Sequence, residues 1–339
     1  MSTIPDDLAA RLETVMDTAR ADGFSGAVRV SLAGTLVHES AAGFADRAHA
    51  IPMTLATRLP AASGAKTFTA LAVLALAERG TLALHTPARE LLGDDLPLID
   101  PTVTVEHLLA HRSGIGDYID EDIADVRDYP LKAPIHQLAV PDDYLVLLDG
   151  LPMRSTPGAE FRYNNSGYVL LAVLAERAAG RPYHDLVDEL VVRPAGLVAT
   201  GFPFADEPTG DVAVGYLEAD GLRTNVLHMP RRGLGDGGIA TTVADVERLW
   251  TALFAGAIVS PDTVAQMTTV HGSEPDGEQY GYGLWLLDDG AIAALKGYDA
   301  GISFRSVHAP ATGLTWTVIG NHTDAAWPVA RAIRDALSS

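Results

Sequence analysis

Short β-rich runs stand at both ends of this chain and helical patterns fill the middle, an order that few folds accommodate. Near the start, FSGAVRVSLAG (24–34) and TLVHESAAGFAD (35–46) meet at Ala33-Gly34, which predicts a hairpin. From Gly281 the β pattern returns as YGLWLLDD, GISFRSVHA and GLTWTVIGN, followed by a last helix, AAWPVARAIRDAL. Between them TFTALAVLALAERG, VTVEHLLAH and GYVLLAVLAERAAG read as helices, the first and last closed by a glycine where a helix C-terminus favours one. Strands at both ends most simply share one antiparallel sheet with helices on its faces, the middle forming a mostly helical lobe. The expected fold class is therefore α/β in the α+β sense. A sheet lobe comes from about 1–60 and 236–339, a helical lobe from about 61–235, and the two make a single domain. The segments 117–150 and 201–234, rich in Asp, Pro and Gly, are expected to be long surface loops that roof a cleft.

Bulk properties narrow the function classes. A formal net charge of -20 argues against a nucleic-acid backbone as partner. The first residues, MSTIPDDLAARLETVMDTARADG, predict an amphipathic helix with Leu8, Leu12, Val15 and Met16 on one face and lack the apolar core of an export signal. The apolar run LAVLALA ends at Glu78 and Arg79, far short of the roughly 20 residues that span a bilayer. Without cysteine there is no disulfide, thiolate metal site or Cys nucleophile, and a cytoplasmic location is expected.

Lysine is rare here, at positions 66, 132 and 296 only, and the first opens a long apolar run in RLPAASGAKTFTALAVLALAERG (58–80). If Ser63 starts that helix, Lys66 lies one turn along on the same face, with its amine beside the hydroxyl. Ala61, Ala62, Ala65, Phe68, Leu71 and Val73 would bury the turn, and burial disfavours a charged amine. The helix N-terminus offers NH groups to a developing oxyanion. The competing reading is an N-cap serine with a snorkelling lysine. In PGAEFRYNNSGYVLLAVLAERAAG (157–180), Tyr163-Asn164-Asn165 precedes a helix. Tyr163 could serve as a base beside a cationic lysine, and Asn165 could hold that lysine and a substrate carbonyl together, although Asn-Ser-Gly is also an ordinary capping turn.

In this order the two motifs resemble the serine β-lactamase-like superfamily: class C β-lactamases, D-alanyl-D-alanine peptidases, and the family VIII-type esterases and acyltransferases built on the same fold. VTVEHLLAHRSGIGDY (103–118), GDGGIATTVADVERLW (235–250) and YGYGLWL (280–286) look like the same family, so the resemblance runs from about residue 8 to 337. It implies Ser63 as nucleophile, Lys66 as its activating partner, Tyr163 as general base and Asn165 as a positioning residue, acting through an acyl-enzyme without a cofactor. The third family motif, usually Lys-Thr-Gly or His-x-Gly, is altered. LKGYDAGISFRS offers Tyr298 at the first motif position, then Asp299, Ala300 at the usual glycine and Gly301 just beyond, where an exposed N–H is expected for the oxyanion. The other register would use Lys296. With Tyr298 there, the cleft lacks the cation that grips a carboxylate, and Asp299 would repel one. A small neutral ester or amide is the expected substrate, with acyl transfer, β-lactamase or D-Ala-D-Ala peptidase activity, or a catalytically weak penicillin-binding-type protein as alternatives.

Other residues read as structural. His107 and His111 have the i, i+4 spacing of paired ligands, but no glutamate follows the first and no third ligand stands out, so no metal is expected. Gly235 to Gly238 suggest close backbone packing, Thr242 and Asp245 a capping box, and Ser303 and Ser306 strand serines without evident partners. Oligomeric state is not legible.

Overall fold

The computed structural model describes residues 7–119, 125–127 and 131–338, so parts of the first helix and of the 117–150 loop lie outside the described residues. One eight-stranded antiparallel sheet organises the rest. In chain order its strands are β1 Gly26–Leu32, β2 Thr35–Ala42, β3 Gly272–Ser273, β4 Gln279–Tyr280, β5 Trp285–Leu287, β6 Ile292–Asp299, β7 Ile302–Ala309 and β8 Leu314–Gly320. Across the sheet they run β2-β1-β8-β7-β6-β5-β4-β3, so the two ends of the chain join where β1 pairs with β8. The β1–β2 hairpin turns at Ala33 (φ 49°) and Gly34 (φ 76°), both left-handed as a two-residue turn of this twist demands.

Strand alternation divides two cores. Val28, Val30, Trp316 and Val318 point to one face, where Leu8, Leu12 and Met16 of α1 (Leu8–Ala21) and Val329 and Ile333 of the C-terminal helix cover them. Ala27 and its cross-strand partner Ile319, with Leu295 and Phe304, point to the other face and join the larger core. That core surrounds α2 (Ala65–Glu78) and α4 (Asn165–Ala179), with α3 (Val105–Leu109) and α5 (Val243–Phe254) at its margins and α6 (Ala326–Ser338) closing the opposite face. Every residue of α2 from Ala65 to Leu76 is buried, the mark of a central rather than a surface helix.

Three details depart from the sequence reading. The run 35–46 is not one strand: Gly43 (φ 78°) turns the chain out after Ala42, and Phe44–Asp46 pairs with Ile51–Pro52 in a separate ribbon. The Thr242 hydroxyl caps α5 by accepting from the Asp245 N–H at 3.2 Å, yet the Asp245 carboxylate accepts instead from the Ala199 N–H and the Thr200 hydroxyl, so the reciprocal half of the capping box is absent. Ser303 and Ser306 do have partners: Ser303 Oγ accepts from the Ala326 N–H at the start of α6, and Ser306 Oγ accepts from Trp250 Nε1. Among the described residues no helix is long and apolar enough to cross a membrane.

Candidate active site

A single 3-10 turn, Ala62–Gly64, leads into α2 and carries Ser63. Ala62 adopts φ 44°, a left-handed conformation that costs a non-glycine residue about 1 kcal/mol, and so presents Ser63 on a sharp corner. Gly64 makes the corner possible, since a Cβ there would stand 2.6 Å from the Phe304 ring of β7. One helical turn on, Lys66 is 2% exposed. Its Nζ lies 2.9 Å from Ser63 Oγ, 2.7 Å from Asn165 Oδ1 and 3.0 Å from the Asp236 carbonyl oxygen. Two of these neighbours can only accept, whereas the Ser63 hydroxyl can either accept or donate. The amine thus spends two N–H groups on Asn165 and Asp236 and keeps its third tetrahedral direction for Ser63, as a proton or as a lone pair.

The start of α4 holds Asn165 in place. Asn164 Oδ1 accepts from the Gly167 N–H at 2.7 Å, and the Asp117 carboxylate accepts from the Asn165 and Ser166 N–H groups, each at 2.9 Å. Tyr163, half-buried, places its ring centroid 4.9 Å from Lys66 Nζ, stacked on Trp285 at 5.6 Å and against His111 at 4.5 Å. His111 Nδ1 accepts the Asn164 N–H at 3.1 Å. Burial first, and then the nearby Lys66 charge, hold this imidazole well below its ordinary pKa, so it stays neutral behind the tyrosine. Burial likewise raises the phenols of Tyr168 and Tyr280 beside it. Asp236 supplies its carbonyl to Lys66 while its carboxylate accepts from the Tyr118 hydroxyl. Burial, followed by the Asp236 charge, raises that phenol well above its usual value.

β6 forms the facing wall. It pairs with β5 only at Ile292, Ala293 and Ala294, so its edge from Leu295 to Asp299 is left beyond that ladder, beside the Ser63 turn. The approach is close: a Cβ on Gly297 would lie 2.2 Å from the Ala61 carbonyl oxygen. Tyr298 and Asp299 line a cavity of about 80 Å³ with Ser63 and Asn165, whose other wall carries Leu131, Leu138, Leu147 and Met229. On the opposite side of Ser63, an open groove is lined by Tyr163, Trp285, Lys296 and Tyr298. Within this lining Lys296 has its Nζ 2.7 Å from Glu278 Oε2 and over the Trp285 ring.

Not all the third-motif residues reach the cleft. Ala300 and Gly301 form the β6–β7 turn, where the Ala300 carbonyl accepts from Asn225 Nδ2. Instead of offering its N–H to an oxyanion, Gly301 donates it to Thr323 Oγ1 at 3.0 Å, because φ 75° and packing against the Gly215–Tyr216 backbone turn it away. His107 and His111 do not share a helical face: α3 ends at Leu109, His111 adopts φ 54°, and His107 Nδ1 accepts the Thr104 N–H. Sequence reasoning missed Asp117, Tyr118, Asp236 and Gly297. GDGG did mark a close backbone contact, since a Cβ on Gly235 would lie 2.0 Å from the Tyr168 carbonyl oxygen, but nothing local tells that the Asp236 carbonyl meets a lysine.

Residues 8–338 match the beta-lactamase family. The chain is 30% identical to the esterase EstB of Burkholderia gladioli, over 97% of this chain and 95% of that one. Among solved structures, the penicillin binding protein from Bacillus halodurans is similar at a TM-score of 0.89 and 33% identity, covering 96% of this chain and 99% of that chain. The D-amino acid amidase from Ochrobactrum anthropi SV3 shares the fold at a TM-score of 0.80 and 23% identity, covering 98% and 99%.

Proposed function

Since the chain belongs to the beta-lactamase family and is a serine hydrolase of it, we propose that Ser63 attacks a small neutral ester or amide to form an acyl-enzyme. The observation that carries this reading is the Lys66 amine, held by two obligate acceptors with its remaining direction on Ser63 Oγ. As the Oγ–C bond forms, the hydroxyl proton passes to the Lys66–Tyr163 pair. As the bond to the leaving group breaks, Tyr163 returns that proton to the departing oxygen or nitrogen. Asn165 keeps the lysine aligned. The Ser63 N–H and a backbone N–H on the β6 edge between Leu295 and Asp299 receive the oxyanion, a place that Gly301 does not fill. Water then cleaves the acyl-enzyme by the reverse proton path.

Ester or amide chemistry is supported by the relative named an esterase and the fold neighbour named an amidase. Neutrality of the substrate is supported by the cleft: the cavity that Tyr298 and Asp299 line with Ser63 carries no lysine or arginine among its described lining residues, and Lys296 is paired with Glu278. No cofactor enters these steps. Absence of cysteine and the acidic chain suit a cytoplasmic enzyme that binds neither nucleic acid nor membrane. The test is labelling with a fluorophosphonate probe: the chain should be tagged on the Ser63-containing peptide and Ser63→Ala should not. A tag that survives Ser63→Ala would refute the assignment.

A further inference from the structure

The cavity beside Ser63 ends against a thin wall. Behind it lies a second, largely apolar cavity of about 300 Å³, bordered by Phe204, Pro208, Val212 and Val226. Met229, Pro230, Gly233 and Gly238 border both spaces. The glycine part of the wall is fixed, since a Cβ on Gly233 would stand 2.4 Å from Gly238 Cα. On either side of Met229 the strip is tied down: Asn225 Nδ2 donates to the Ala300 carbonyl, His228 Nε2 lies 2.8 Å from the Arg127 carbonyl, and the Arg231 and Arg232 N–H groups donate to the Ile135 and Leu138 carbonyls. These ties hold the backbone of the partition in place. The Met229 side chain is the long, flexible element in it, and methionine adapts readily to what it packs against.

We propose that Met229 sets the length of acyl chain that Ser63 accepts, and that the cavity behind it is a closed-off extension of the acyl pocket. This rests on the acyl-enzyme reading above. An apolar cavity of roughly 150 Å³ holds a benzene ring. By that measure about 80 Å³ suits an acetyl to butyryl group, and about 300 Å³ more suits the remainder of an octanoyl chain. Each methylene that leaves water for such a space strengthens transition-state binding severalfold.

The experiment measures kcat/KM for p-nitrophenyl acetate, butyrate, hexanoate and octanoate, and for octyl acetate, with the full chain, Met229→Ala and Met229→Trp. Wild type should decline beyond butyrate. Met229→Ala should raise the octanoate-to-acetate ratio at least tenfold, and Met229→Trp should move it the other way, which also covers the case in which one variant folds poorly. An unchanged ratio in both would overturn the proposal. So would a gain confined to octyl acetate, which would assign the second cavity to the leaving group. Ser63→Ala separates the two failures: turnover that persists in it refutes the acyl-enzyme itself, whereas Ser63-dependent turnover with an unmoved chain-length profile refutes only the role of Met229.

Discussion

Tyr163 is wedged between the neutral His111 ring and the Trp285 indole, with Lys66 facing it, and this packing fixes where its phenol would act in the proposed mechanism. Tyr163→Phe keeps the ring and removes the hydroxyl, so acylation should slow by about two to four orders of magnitude, the usual contribution of a positioned base. Rapid-mixing measurement of the p-nitrophenol burst checks this; a burst as fast as wild type would remove Tyr163 from the mechanism. The altered third motif makes a second expectation. Short-chain aryl esters should be turned over faster than penicillins or D-alanyl peptides, and Tyr298→Ala should impair a neutral ester at least tenfold while Lys296→Ala, whose lysine is already paired with Glu278, changes it little. An efficient penicillinase, or the reverse order of the two variants, would contradict it. At this scale the sequence tells most where residues act on close neighbours along the chain, as Ser63 does with Lys66. It tells least where a backbone group acts across the fold, as the Asp236 carbonyl and the Asp117 cap do, because any residue type could supply a carbonyl and an aspartate is unremarkable in a loop.

Among the elements, β6 does more than continue the sheet. It brings Gly297 against the turn that carries Ser63, with no room for a side chain between a strand and a backbone carbonyl. Gly297→Ala should push the strand away from Ser63 and lower kcat by at least tenfold, since misplacements of about 1 Å cost on the order of a hundredfold. Esterase kinetics beside a thermal melt would separate this from unfolding: full activity in the variant would show that the distance between strand and turn is unimportant. AIAALKG carries little strand signal because alanine, lysine and glycine are poor strand formers, even though Ala293 and Leu295 lie in one core and Ala294 in the other. The outer helices α1 and α6 were legible for the opposite reason, one apolar face and one wet one.

Over the whole molecule, several histidines are enclosed in neutral form. His184, with Nε2 2.8 Å from the Gly233 carbonyl, is pulled down to about 4 chiefly by burial, and His308, beside Trp250 and Phe254, is also lowered to about 4 by burial. Both folded values lie below the ordinary 6.5, so between them the unfolded chain binds more protons than the native one. Stability present above pH 6.5 should therefore be lost as pH falls toward 4, with His184 alone worth up to about 3 kcal/mol. Urea melts at pH 7, 5.5 and 4.5 test this; midpoints that do not fall would show that these rings are not protonated on unfolding. The β1–β8 seam has a further consequence, for synthesis. On the ribosome, Ser63 and Lys66 emerge long before Gly297 and β8, and until β8 arrives β1 offers a bare edge. A nascent or prematurely terminated chain would thus carry Ser63, the proposed nucleophile, without the wall that completes the pocket. It would be inert as a catalyst and prone to aggregate, so that hydrolytic activity itself reports that translation ran to the last strand.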